Sequence, residues 1–332
     1  MRVLVSGAGG FLGKHIVARL LERGHVVRAI IRPGSPTPAW RSDDVEILLA
    51  DLRAKEGLMP AFKDIDVVIH AAASTSGGED TQFSSTVVAT ENFLNAIKLS
   101  NVKRLVHISS FVVYDWDAAK KIIDEKADII KNIYDMGPYT ISKNWQERIV
   151  RRYAENNSCK LTILRPGFIW GQDHTEIAGM GRRFGRFYFM FGPFTRLPLC
   201  HVVNCADCVV TAVENPAAIG EIFNVIDGDE IRVWRYVWEF ARRSNKGGLL
   251  VPVPYWLGLG VAQLASLVSQ ALFGKKGKLP SLLIPRRFRA QFKPIRFSNQ
   301  KIRQTLEWAR PLSFNECLVR SYEMNPPLGN DV

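Results

Sequence analysis

Tyr139 and Lys143 lie four residues apart, just after Gly137-Pro138. A proline there favours a helix start, and the spacing puts the phenol and the ammonium on one helical face. A cation beside a phenol lowers its pKa, so Tyr139 is expected to act as an acid or base near neutral pH. Upstream, His107-Ile108-Ser109-Ser110 reads as a strand end followed by two hydroxyls, one of which can orient a substrate carbonyl. A lone Tyr-x-x-x-Lys is common on helix surfaces. Its position after a strand that ends in two serines gives this one weight.

The first turn of the chain offers a place for a phosphate. Arg2–Ser6 is a β-branched run, Gly7, Gly10 and Gly13 follow, and an apolar helical pattern continues through His15–Arg23. Between a strand and a helix, such glycines let the backbone approach a pyrophosphate, and the helix N-terminus presents free N–H groups. Gly7, Gly10, Phe11, Leu12 and Gly13 are therefore expected to hold a dinucleotide.

Short apolar runs at Val26–Ile31, Val45–Leu49, Asp66–His70 and Arg104–Ile108 alternate with helical patterns, one of them Gln82–Leu99. This is the signature of βαβ units and a doubly wound, Rossmann-like parallel sheet in an α/β fold. Ligands of such sheets bind beyond the carboxyl ends of the strands. Arg32 follows the second strand, with no acid from His25 to Gly34, so NADP(H) is favoured over NAD(H). Asp51-Leu52 suits the adenine edge, and Ala71-Ala72-Ala73 leaves room for a cofactor against the backbone.

The bulk properties agree with a globular protein of 332 residues, 47% hydrophobic and 23% charged. Met1 runs straight into the first strand and leaves no room for a signal peptide, and five cysteines are an odd number. Reduced thiols and a cytoplasmic location are expected. Between Arg242 and Arg310 there are fourteen Lys or Arg and one acid, Glu307, whereas the whole chain carries +12. Charge confined to one segment argues against a protein that coats nucleic acid.

With the glycine turn, Asp51-Leu52, His70–Ala73, Ser110, Tyr139, Lys143 and Arg165-Pro166-Gly167, residues 1 to about 228 resemble the extended short-chain dehydrogenase/reductase superfamily. The resemblance implies an NAD(P)-dependent oxidoreductase in which Tyr139 exchanges the proton. Lys143 would bind the nicotinamide ribose and assist Tyr139, and Ser110, rather than Ser109, would polarise the carbonyl. Pro166 would join the cofactor-binding residues. It further implies a dinucleotide domain over 1–167, with returning segments near 197–228, a smaller, mostly C-terminal α/β substrate domain over 168–332, and a homodimer built through a four-helix bundle.

Departures from the sugar-nucleotide members narrow the branch. Phe111 and Val112 stand where the dehydratases carry an Asp-Glu pair, Phe168 replaces a pyrophosphate-binding Asn, and Leu197-Pro198-Leu199 replaces Arg-Asp-Phe, with Arg196 one position away. The stretch from His201 to Asp207 is similar instead to 3β-hydroxysteroid dehydrogenases and sterol-decarboxylating relatives. Phe184, Phe187, Tyr188, Phe189, Phe191 and Phe194 are expected to line an apolar pocket. A sugar-nucleotide epimerase with retained cofactor is the alternative, and a non-catalytic dinucleotide-binding protein a more remote one. Cys200, Cys205 and Cys208 have a cluster-like spacing but already read as strand and helix, and no metal is expected.

No charge occurs from Gly247 to Gly274, and Tyr255–Phe273 is a helix candidate carrying Gln263, Ser266, Ser269 and Gln270 on one side. Lys275, Lys276 and Lys278 follow, then Arg286, Arg287 and Arg289. Two readings stand: a helix covering the substrate pocket, or a helix resting on an anionic membrane.

Overall fold

The computed structural model describes residues 1–40, 42–244, 248–274 and 279–323. Strand β1 (Arg2–Ser6) leads through α1 (Phe11–Glu22) to β2 (Val26–Ile31) and β3 (Val45–Leu49). From β4 (Val67–His70) the chain passes through α2 (Glu79–Phe83), a π-helical turn at Ser84–Val88 and α3 (Ala89–Leu99) to β5 (Arg104–Ile108). A loop containing the two-residue β6 (Ile122–Ile123) precedes α4 (Pro138–Asn156) and β7 (Lys160–Pro166).

The second half contributes β8 (Phe168–Trp170), β9 (Arg182–Phe184), β10 (Phe187–Phe191), β11 (Leu199–His201), α5 (Val202–Glu214), β12 (Ile222–Val225) and α6 (Val233–Arg243). Then come β13 (Leu249–Val253), α7 (Tyr255–Phe273), α8 (Pro285–Phe292), β14 (Arg296–Phe297), α9 (Gln300–Thr305) and α10 (Phe314–Tyr322).

Seven strands form one sheet in the order β12-β7-β5-β4-β1-β2-β3, and every pairing in it is parallel. Burial explains the β-branched runs. Val3 and Val5 pack with Ile16, Val17 and Leu20 of α1 on one face. Leu4 packs with Phe93, Leu94 and Ile97 of α3 on the other. Side chains alternate across a strand, so helices on both faces require apolar residues at consecutive positions. The strand order reverses between β1 and β4, whose ends meet at the register pair Ser6 and His70. That reversal opens the crevice where open parallel sheets bind ligands.

The six aromatics do not form a pocket. They lie on and beside the hairpin of β9 and β10, and β10 pairs with β13 away from the large sheet. Strand alternation sends Tyr188 into a core with Trp170 and Tyr236, and Phe191 into another with Phe288 and Phe292. Phe184, Phe187 and Phe194 are exposed. None of the six lines the cleft described below.

Helix α7 does not take the first of its two expected places. It does not line that cleft, and its buried residues are Gly258 and Ala262, with Ser266 and Ser269 half-buried. The small residues face inward because α8 lies close: a Cβ on Gly258 would stand 2.5 Å from the Phe288 ring. Trp256, Leu257, Val261, Leu264, Leu267, Val268, Leu272 and Phe273 are exposed instead. The arginines of α8 hold that helix in place rather than forming a free basic patch. Arg289 pairs with Asp117 at 2.5 Å, Arg286 reaches Asp117 and Asp135, and Arg287 donates to the carbonyls of Asp135 and Met136. Lys275, Lys276 and Lys278 lie outside the described residues.

This orientation inverts the usual mutational pattern of an amphipathic helix. Ala262→Leu should cost about 1–3 kcal/mol by overpacking the α8 contact. Leu264→Ser should change stability by less than about 0.5 kcal/mol. Urea unfolding of the two variants measures both values.

Candidate active site

A cleft of about 720 Å³ opens at the carboxyl ends of the parallel strands. Its floor is the first turn, with Gly7, Gly10, Phe11, Leu12 and Gly13. Gly7 has φ +72°, and a Cβ on it would stand 2.8 Å from Ala72 Cα, so the turns after β1 and β4 touch backbone to backbone. A Cβ on Gly13 would run into the Gly7 carbonyl oxygen. Both positions admit only glycine, and together they bring α1 up to the turn with its first N–H groups facing the cleft. This cradle fits a pyrophosphate.

Arg32, Asp51, Leu52, Ala71, Ala72, Ala73, Ser110, Tyr139, Lys143, Pro166 and Gly167 line the same cleft. The structure thus gathers the expected site residues from the ends of β1, β2, β3, β4, β5 and β7 and from the start of α4. A larger hollow of about 830 Å³ beside β12 and α9 contains none of them. Arg196 and Glu230 on its wall pair with each other at 2.8 Å.

Residues that sequence reasoning passed over complete the cleft. Arg53 holds Asp51 at 2.6 Å, and with Arg32 it keeps that carboxyl below the usual carboxylate range. Arg53 follows Asp51-Leu52 directly, but only the folded turn folds it back onto the carboxylate. His174, Glu176, Ile177 and Ala178 approach from the loop after β8. His174 packs against the Phe11 ring, centroids 4.8 Å apart and planes tilted by 35°. Nothing local in the sequence places that loop.

The two serines part company. Ser109 donates to Glu147 Oε2 at 2.5 Å, whereas Ser110 is hydrogen-bonded to the Tyr139 phenol. Glu147 also receives Arg165 at 2.6 Å and Arg151 at 2.8 Å. Those bonds overcome its burial and hold its carboxyl down at about 2. The Arg165 guanidinium in turn stacks on Tyr114 at 4.6 Å. Glu147 thus links β5, α4 and β7 directly beneath the cleft.

Lys143 is almost fully buried and donates to Ile108 O at 2.7 Å and to Gln146 Oε1 at 2.5 Å. Burial drives its pKa down to about 7, against the pull of Glu147. The expectation that Lys143 lowers the Tyr139 pKa is overturned. Burial raises it, and only the Ser110 hydrogen bond opposes the rise. Desolvation disfavours the phenolate, and the ammonium is engaged with Ile108 and Gln146. In the free protein, wild type and Tyr139→Phe should therefore give superimposable tyrosinate absorbance at 295 nm up to about pH 10.

The sequence profile of the NAD dependent epimerase/dehydratase family matches residues 3–225. The chain is 26% identical over 277 residues to a 4-hydroxy-2-methyl-3-oxo-4-farnesyl-3,4-dihydroquinoline-1-oxide ketoreductase of Stigmatella aurantiaca, covering 82% of each. It is 26% identical over 275 residues to the decarboxylating sterol-4-alpha-carboxylate 3-dehydrogenase of Bos taurus, covering 77% of this chain and 73% of that one. The fold is similar to that of UDP-glucuronic acid 4-epimerase from Bacillus cereus, solved with NAD, at TM-score 0.71 and 21% identity, covering 97% and 96%. A profile that begins in β1 and ends in β12 spans the whole dinucleotide sheet, and the chain belongs to the NAD-dependent epimerase/dehydratase family, enzymes of the extended short-chain dehydrogenase/reductase type.

Proposed function

We propose that this enzyme is an NADP(H)-dependent reductase/dehydrogenase acting on a carbonyl or secondary alcohol of an apolar substrate. The observation that carries the reading is the convergence of Ser110, Tyr139 and Lys143 with the glycine turn in one cleft, while the two positions after Ser110 are Phe111 and Val112, which carry no acid. Residues 1–167 would hold the dinucleotide and residues 168–332 shape the substrate site.

The glycine turn would hold the pyrophosphate, Asp51 the adenine edge, Arg32 the 2′-phosphate, and Lys143 and Pro166 the nicotinamide end. The bound dinucleotide supplies or accepts a hydride. Ser110 orients the substrate oxygen, and Tyr139 gives that oxygen its proton from Oη during reduction or takes one during oxidation. A phenol that burial keeps protonated suits the reductive direction. Arg32 and Arg53 set two guanidiniums against the one carboxylate of Asp51 at the cleft's edge, which favours a phosphate-bearing ribose.

Val112, Phe168, Ile177 and Ala178 give the cleft an apolar wall. Two relatives whose names place them on a farnesylated quinoline and on sterols favour the same substrate chemistry. A nucleotide-sugar epimerase would lack the Asn at Phe168 and would yield altered sugar nucleotides with no net cofactor use.

The same reading places the enzyme in the cytoplasm at a membrane surface. All five cysteines are free thiols, and α7 turns eight large apolar side chains outward. It adds a homodimer whose bundle would cover Phe83, Val88 and Trp145, which are exposed around α2, the π turn and α4.

NADPH oxidation with 1-decalone, an apolar bicyclic ketone, tests the chemistry. Tyr139→Phe should lower kcat by about 10²–10⁴-fold. Arg32→Ala should raise KM for NADPH about tenfold or more and leave that for NADH unchanged. NADPH-independent epimerisation of UDP-sugars by the wild type would move the assignment to epimerase. The full chain should float with vesicles containing anionic lipid, and the pair Leu264→Glu and Leu267→Glu should remove most of that binding. Equal flotation of the double variant would exclude α7 as the contact.

A further inference from the structure

A run of buried polar side chains lies behind Lys143 and leads away from the cleft into the sheet. Ser6, His70, Thr90 and Gln146 all have no exposed surface. Gln146 accepts from Lys143 Nζ at 2.5 Å and donates from Nε2 to Ala72 O and to Thr90 Oγ1, both at 2.9 Å. His70 Nε2 lies 2.8 Å from Thr90 Oγ1, and His70 Nδ1 lies 2.7 Å from Ser6 Oγ. Thr90 Oγ1 itself donates to Thr86 O at 2.6 Å.

Donor and acceptor chemistry leaves one assignment. An ammonium only donates and a carbonyl only accepts, so the Gln146 oxygen must face Lys143 and its nitrogen must face Ala72 O. Thr90 spends its proton on Thr86 O, so its oxygen accepts from both Gln146 and His70. His70 therefore carries a proton on Nε2, and because burial keeps the ring neutral at ordinary pH, Nδ1 accepts from Ser6. The 3.3 Å approach of Gln146 Nε2 to His70 Nε2 brings two donors together and is no bond. Every amide and ring orientation is thereby fixed. An amide that cannot flip gives Lys143 a permanent acceptor.

We infer that Gln146 is a positioning residue: it pins the Lys143 ammonium against the Ile108 carbonyl, leaves one N–H for the cleft, and is itself held by a brace of Ala72, Thr90, His70 and Ser6. The inference rests on the reading of Lys143 as the partner of Tyr139. Without the amide oxygen, the ammonium has one protein acceptor and two loose N–H groups.

The charged and titratable groups facing Lys143 are Tyr139 and Glu147 on α4, His70 on β4 and His107 on β5. Arg165 of β7 and Arg151 sit behind Glu147. Glu147 stays ionised down to about pH 2, and burial holds His70 near 3 and His107 well below its ordinary value. Burial keeps Tyr139 protonated. Among these groups Lys143 is therefore the one that titrates near pH 7.

The sign follows. A hydrogen bond to the ammonium favours its charged form, so removing the acceptor lowers the Lys143 pKa and a carboxylate in the same place raises it. Carbon-13 NMR of lysine-labelled full chain reads the Lys143 Cε titration, assigned by its loss in Lys143→Met. Gln146→Met should titrate about one to two pH units below wild type, as expected for one charge-assisted bond. Gln146→Glu should titrate above wild type. The alkaline limb of 1-decalone reduction should move with each.

A merely structural amide would lower the melting temperature without opposed shifts. If Gln146→Glu does not fold, Gln146→Met decides alone: titration at the wild-type value overturns the inference. The underlying reading fails separately, if Lys143→Met reduces 1-decalone at the wild-type rate.

Discussion

A single buried carboxylate holds the cleft together. Glu147 sits on α4 with almost no exposed surface, gripped by Arg165, Arg151 and Ser109. Two guanidiniums offset the cost of burying one anion, and removing either side of such a cluster strands a charge in the interior. Its reach is wider than its contacts. Arg165 stacks on Tyr114, and the Tyr114 hydroxyl donates to Asn224 of β12 at 2.6 Å. Four elements, β5, α4, β7 and β12, therefore converge beneath Ser110 and Lys143.

The glycine turn imposes the second constraint, of a different kind. Gly7 and Ala72 meet backbone to backbone, so the strand-order reversal is closed sterically. One end of the cleft is fixed by missing side chains and the other by a charge cluster. The glycine floor and the group of Ser110, Tyr139 and Lys143 are thereby held in register across the sheet.

Local chemistry was what the sequence carried best. Strand and helix periods, the positions just after strand ends and the i,i+4 pair of Tyr139 and Lys143 are properties of neighbouring residues. They located the sheet, and the catalytic and cofactor residues they marked for the site all line the cleft, although many of its other lining residues went unmarked. Two readings failed where tertiary context decides, and a third stayed open between two faces of one helix. The Phe184–Phe194 aromatics depended on which way a hairpin turns. The period of α7 marked two stripes without saying which faces the protein, and close packing against Phe288 selected the small one. The Tyr139 pKa depended on burial, which outweighed a lysine engaged elsewhere. Gln146 and Glu147 were visible as the third and fourth residues after Lys143 on one helix. Their roles needed partners from β4, β5 and β7.

The sheet is finished late in the chain. β12, at its edge, comes from residues 222–225, after the excursion that builds β8 to β11 and α5. α5 also covers the same face as α1, with Val209 and Val213 in the core beside Leu20. A nascent chain that has emerged only as far as β7 therefore has an unpaired sheet edge, an uncovered apolar face and a Tyr114 hydroxyl without Asn224. The parallel sheet that begins at Arg2 is complete only at Val225 of β12, well after β7 ends at Pro166, so its early strands and its last edge are translated in series but become stable together.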